Sequence, residues 1–298
     1  MSNFDDIFDP GTSAALPEEP FDKEKWAEKK QTERKSVYEL ADSTAEAISS
    51  DGNRFREYLD VQSRFDRYSA LNALLITAQM PGATQLKDFD GWKEAGASIK
   101  KQQKGISILA PGEEYTREDN TIGTSYNVKK VFDVSQTTDK AKVRPNVQHD
   151  ERTMIAALIS GHRGDISVVD DLAGRASGAF FEPESGKIYV RRGLEFQDLF
   201  RALSIELSHM ELAAVSDSYS RENMGFTAYC SSYIVCKKNS IDVSGYDFSV
   251  LPDNLREGDA QSIRAVLTDI RDTAETISGR IAKSLEQSRD TKSKEQER

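Results

Sequence analysis

The sequence predicts an α+β protein: a helical N-terminal domain with a small β-hairpin, then a second α+β domain, then a C-terminal amphipathic helix. Three observations carry that expectation. Apolar residues recur at three- and four-residue spacing through most of residues 24–80. Short β-rich runs separated by glycine-containing turns follow at 105–135 and again at 178–192. Near the end, Ile263, Val266, Leu267, Ile270, Ala274, Ile277, Ile281 and Leu285 form one stripe.

The chain has 298 residues, more than a typical single domain, and a formal charge of −10. A whole-molecule attraction to nucleic acid or to an anionic membrane is therefore not expected, and any such binding needs a local patch. Cys230 and Cys236 fit neither a zinc knuckle nor a disulfide framework, which points to a reducing cytoplasm. No signal peptide or apolar membrane span is read from the sequence.

Residues 1–23 are acidic and proline-bearing without periodicity, and are expected to be a disordered leader. Phe4, Ile7 and Phe8 beside Asp5, Asp6 and Asp9 leave a short docking motif as the alternative. Residues 24–138 form the expected N-terminal domain. Its first helix is broken at Asp51-Gly52, and the helical run ending YSALNALLITAQM is stopped by Pro81-Gly82. The runs GISILAPGEEY and NVKKVFDVS, joined by a polar turn, predict a hairpin packed on those helices.

A polar segment with Pro145 suggests the boundary to a domain over 139–250. There DERTMIAALISGHRG predicts a helix, DISVVD a strand, and GAFFEPESGKIYVRR a hairpin turning at Pro183-Glu184-Ser185-Gly186. Helices are expected around 199–213 and 221–238. A helical segment over 251–288 and a charged, disordered tail over 289–298 complete the chain.

The helix at 199–213 contains Ile205-Glu206-Leu207-Ser208-His209, one residue short of the zinc-peptidase pattern H-E-x-x-H. Glu206 and His209 share a helical face, while position 205, where a first imidazole belongs, holds isoleucine. The order helix, strand, hairpin, Glu-His helix, helix is the one a zincin-like domain uses. By themselves, Glu206 and His209 are equally an ordinary polar pair hydrogen-bonded to each other or within the core.

The stretch 67–115 carries Tyr68-Ser69, Asn72, Gln79, Pro81, Trp92, Lys104-Gly105, Ile106, Ile108 and Pro111. This pattern resembles the N-terminal domain of ArdC-type antirestriction proteins and of LtrC-like proteins of conjugative elements, and with YNVKKVFDVSQT it covers most of 24–138. The following half resembles the zincin-type peptidase domain of the same families. That resemblance places a third metal ligand at Thr227, in TAYCSSYIVC, so Ile205 and Thr227 are degenerate positions beside His209 and the would-be base Glu206. No cofactor is expected and zinc is unlikely on that pattern, because one imidazole and one carboxylate do not make a catalytic zinc site. An alternative set of His209, Cys230 and Glu211 suffers because positions 209 and 211 point to different sides of a helix. His149 and His162 sit in polar stretches and read as solvent-facing.

The resemblance also implies that the N-terminal domain binds single-stranded DNA. Such binders pair a basic groove with aromatic platforms for the bases. Arg64, Arg67, Tyr68, Asn72, Trp92, Lys93, Lys100, Lys101, Lys104, Tyr126, Lys129 and Lys130 are the candidate contacts. From the residues alone, the lysines read equally as a solvated turn and Trp92 as core.

Three functions stay open. The first is a cytoplasmic single-stranded DNA-binding accessory protein of a mobile element or phage with an inactive zincin-like domain, its partners being DNA and a restriction or DNA-transfer protein. The second is a metallopeptidase with altered ligands. The third is an acidic protein-binding module that acts on a DNA-handling partner.

Overall fold

The computed structural model describes residues 22–116, 120–138 and 149–296. The expected leader therefore lies outside the described residues, except at its last two positions. Helix α1 (Lys23–Ser49) and helix α2 (Gly52–Arg64) start at aspartate caps: Asp22 and Asp51 each accept two backbone N–H groups of the first turn. Ser69 caps α3 (Ala70–Gln79), which is buried on nearly all sides. Strand β1 (Leu86–Lys87) and helix α4 (Phe89–Glu94) lead to the long hairpin of β2 (Ile106–Thr116) and β3 (Ile122–Asp133).

The sheet order is β1-β3-β2, all antiparallel, with a register shift between Pro111 and Glu114. A short 3-10 turn, Val134–Gln136, closes it: Asp133 caps the turn and Gln136 reaches back to the Asp133 N–H. A second sheet has order β4-β6-β5, formed by β4 (Ile166–Val169), β5 (Ala179–Glu182) and β6 (Lys187–Arg191) after helix α5 (Glu151–Leu158). Strands β4 and β6 run parallel, and the β5–β6 hairpin turns at the expected place, where Gly186 takes φ +68°.

Helices α6 (Phe196–Val215), α7 (Arg221–Lys238), α8 (Asp253–Arg256) and α9 (Ala260–Gln296) follow. The helix of α9 runs to Gln296, beyond the last residue of the apolar stripe and through most of the expected tail. Among the described residues no helix is long and apolar enough to cross a membrane.

One hydrophobic cluster contains residues of both halves. The Phe55 ring lies 5.8 Å from that of Phe248 and 5.4 Å from that of Phe226, and Tyr233 meets Phe248 at 5.3 Å. Polar contacts follow the same seam: Tyr233 donates to Asp60, and Arg56 donates to the Val243 carbonyl. A Cβ on Gly52 would stand 1.9 Å from the Phe248 carbonyl oxygen, so α2 begins in backbone contact with the 245–251 loop. That approach admits only glycine.

Candidate functional site

The sequence singled out two groups of residues, the candidate DNA contacts and the vestigial Glu206 and His209, and part of the first and Glu206 of the second lie beside cavities. The first cavity is a groove of about 780 Å³ between α3, the β2–β3 hairpin and the start of α4. Arg67 and Tyr68, in the short link from α2 to α3, form one wall with Asn72. Tyr126 and Lys129 of β3 form another, and Lys87 and Asp88 a third. Tyr38 of α1 and Arg271 of α9 complete it.

Two side-chain amides of α3 tie it to the edge of β2, and one of them, Asn72, lines the groove with its partner Leu109. Asn72 exchanges a pair of hydrogen bonds with the backbone of Leu109, and Gln79 does the same with Ser107. Both act as a substitute strand along the open edge of β2, where unpaired backbone groups would otherwise lie buried.

The structure thus brings together Arg67, Tyr68, Asn72, Tyr126 and Lys129. Tyr126 is 43% exposed and offers its ring to solvent. Lys129 Nζ lies 2.5 Å from Asp88 Oδ2, and the pairing holds the Asp88 carboxyl below its ordinary range and raises the Lys129 ammonium.

The other candidates are placed elsewhere. Trp92 is 2% exposed, packs with Ala97 and Val134, and donates its indole N–H to the Phe132 carbonyl at 2.8 Å. It offers no face for a base. Arg64 is turned onto the carbonyls of Pro81 and Ala83, and Lys130 onto the Ser107 hydroxyl. Lys93, Lys100, Lys101 and Lys104 do not line the groove, and Lys100 donates to the Ser135 carbonyl at 2.9 Å.

The polar groove residues Lys87, Asp88, Tyr38 and Arg271 were not foreseen. Lys87 stands beside Asp88 in a stretch that lacks periodicity. Tyr38 packs half-buried against the cluster of Val37, Ala41, Leu75 and Leu109, and Arg271 belongs to the amphipathic α9; neither position carries a local signal of the groove it approaches.

The second site surrounds Glu206 on α6, beside a cavity of about 510 Å³ lined in part by Ile205, Ala202, Arg221 and Tyr246. Glu206 is 3% exposed. Its Oε2 accepts the Phe181 N–H at 2.6 Å, and both carboxylate oxygens accept from the Arg221 guanidinium. Arg221 also donates to the Phe181 carbonyl and lies over the Phe180 ring, 4.7 Å from its centroid. A second guanidinium, that of Arg175, lies 4.0 Å from the same ring. Burial raises the Glu206 carboxyl above its ordinary range, and Arg221 opposes that rise.

Of the two arrangements open to Glu206 and His209, a mutual hydrogen bond or separate partners in the core, the structure has the second. His209 Nδ1 meets the Tyr219 hydroxyl at 3.0 Å, with the two rings edge-to-face. Burial first, and Arg221 second, push the imidazole down to about 3, so it is neutral at neutral pH.

These residues do not fit a catalytic zinc. Ile205 has no lone pair, Thr227 stands where the resemblance placed a carboxylate, and Arg221 puts a cation against the Glu206 carboxylate. Cys230 is fully buried, with its thiol pushed well above the ordinary range, while Glu211 pairs with Arg280 at 2.5 Å. His162 turns Nδ1 to the Ile159 carbonyl. Among the described residues, no three of His, Cys, Asp or Glu gather where they could hold a metal ion.

Residues 40–155 match the family model described as the N-terminal domain of anti-restriction factor ArdC. An uncharacterized protein of Bacillus anthracis is 23% identical over 282 residues, a match that takes in 77% of this chain and 48% of that protein. The chain thus spans about half the length of the curated relative it matches.

The antirestriction ArdC protein from the R388 plasmid is similar in two crystal structures. Its Mn(II)-bound form has a TM-score of 0.50 at 16% identity, covering 72% of this chain and 85% of that one. Its metal-free form has a TM-score of 0.48 at 15% identity, covering 72% and 86%. At this identity the Mn(II)-bound likeness concerns the fold alone. The family match includes Arg67, Tyr68, Asn72, Tyr126 and Lys129 but ends before Glu206, His209 and Arg271.

Proposed function

We propose, for a chain that carries an ArdC-type N-terminal domain over residues 40–155, that it binds single-stranded DNA in the groove between α3 and the β2–β3 hairpin. The observation that carries this reading is the convergence of Arg67, Lys87 and Lys129 with the rings of Tyr38, Tyr68 and Tyr126 around one cavity. Cations meet phosphates, and tyrosine rings give bases a sequence-tolerant surface for stacking. A local cluster of this kind is what a chain of net charge −10 needs in order to hold a polyanion.

The matched family is named for an anti-restriction factor, which supports a cytoplasmic accessory role in antirestriction or DNA transfer, with a restriction or transfer protein as second partner. The zincin-like reading of the second half is retained without peptidase activity. Its support is the Arg221 guanidinium bound to Glu206, together with Ile205 and Thr227 at the ligand positions.

Fluorescence anisotropy with a labelled single-stranded oligonucleotide at low and moderate salt tests the reading, with the duplex as competitor and metal content measured on the same sample. Salt-sensitive binding of the single strand, lost in an Arg67→Ala/Tyr126→Ala variant, is the expected result. Absence of binding at any salt sinks it and turns attention to a protein partner for the acidic surface. Stoichiometric metal, or a melting temperature that falls on chelation, would overturn the metal-free reading of the Glu206 centre.

A further inference from the structure

The groove contains a carboxylate where its proposed ligand carries phosphates. Asp88 lines the cavity, and its Oδ2 holds Lys129 Nζ at 2.5 Å. Its Oδ1 accepts the Gly91 N–H at 2.8 Å and caps α4. A cap requires an acceptor oxygen and no charge, and asparagine serves there as well as aspartate. The negative charge of Asp88 is therefore not needed to build the helix.

Arg271 is restrained in the same way, by Asp272 and Glu275 at 2.6 and 2.8 Å. Arg67 is exposed and has no acidic partner among the described residues, and Lys87 lies over the Trp92 ring. Among the described residues, carboxylates thus occupy Lys129 and Arg271 and leave Arg67 and Lys87 without an acidic partner.

We propose that Asp88 is an internal counter-anion: it occupies Lys129 in the empty groove and sets the affinity for a single strand by competing with its phosphates. This rests on the DNA-binding reading above. A phosphodiester and the Asp88 carboxylate cannot both sit on Lys129 without bringing like charges together in a partly desolvated cleft. Strand entry therefore exchanges one ion pair for another. Lys129 is suited to that exchange, because its side chain is 50% exposed and its ammonium rides on a flexible stem. A groove of this design favours turnover of strands over tight retention.

The test compares the wild-type chain with Asp88→Asn, Lys129→Ala and the double variant, using anisotropy on a labelled oligothymidylate over a range of salt. Thermal melts check that each variant folds. Asp88→Asn is expected to bind several-fold tighter. Its plot of log affinity against log salt should steepen by about 0.7, the increment for one more neutralised phosphate on a single strand. Adding Lys129→Ala should cancel the gain, as coupled residues require. Equal or weaker binding by folded Asp88→Asn, where the wild type binds, overturns the role of Asp88 and leaves the groove reading intact. No binding by either protein overturns both.

Discussion

Asn72 takes both backbone hydrogen bonds that Leu109 offers on the open edge of β2: Nδ2 donates to the carbonyl and Oδ1 accepts the N–H, each at 2.8 Å. Gln79 repeats the arrangement at Ser107, each bond at 2.9 Å. Here one helix imitates a strand. Replacing Asn72 with leucine leaves two buried backbone groups without partners, at a cost of about 1–3 kcal/mol for each. The urea midpoint should fall with the slope unchanged, and Gln79→Met, at a less buried position, should lower it less. An unmoved midpoint for Asn72→Leu would show that the amide does not support the strand.

Tyr126 and the lysines of the 100–104 turn separate the groove from the rest of the basic surface. Tyr126→Ala should weaken single-strand affinity by about 1–3 kcal/mol if one base stacks there. A Lys100→Ala/Lys101→Ala/Lys104→Ala variant should bind like the wild type, because none of the three lines the cavity. Loss of binding in the triple variant would move the interface to that turn.

His209 makes stability depend on pH with a definite sign. Its imidazole is pushed from 6.5 down to about 3 in the folded chain, so between those values the unfolded chain binds more protons. Stability should therefore fall as pH drops through that window, by about 2 kcal/mol from this one group between pH 7 and pH 5. Glu206, raised in the folded state, opposes part of the loss. Urea unfolding at pH 7 and pH 5 should show a smaller difference for His209→Gln than for the wild type; equal differences would mean that other groups dominate.

Arg221 gives the buried Glu206 its counter-charge. Arg221→Met should destabilise the fold by roughly 3 kcal/mol, the low end for a broken buried pair, since the guanidinium is partly exposed. The double variant Arg221→Met/Glu206→Gln should recover much of the loss, a comparison readable from melting curves. No recovery would argue that Arg221 matters for its stacking on Phe180 and not for its charge.

Much of this was legible in the sequence. Hydrophobic period and turn residues located the long helices and both hairpins, because each is a local property of the chain, while the short helices α4 and α8 were not read. Arg67, Tyr68, Asn72, Tyr126 and Lys129, which line the groove, were among the candidates named from the resemblance and from its pairing of basic and aromatic residues. Trp92 misled because the sequence cannot show that the Phe132 carbonyl supplies an indole acceptor. Arg221 was missed for a related reason. It opens α7 as an ordinary first-turn residue, and only the packing of α7 against α6 brings it onto Glu206 and within reach of the Phe181 carbonyl of β5.

The backbone separation of the groove's walls has a consequence for how the molecule is made. Asp66 and Arg271 are in contact although 205 residues separate them along the chain. A ribosome working from the N-terminus exposes Arg67, Tyr68 and the hairpin long before α9 exists. The last wall of the groove closes only once α9 has been made, so a nascent chain that still lacks α9 does not present the finished surface to a passing strand.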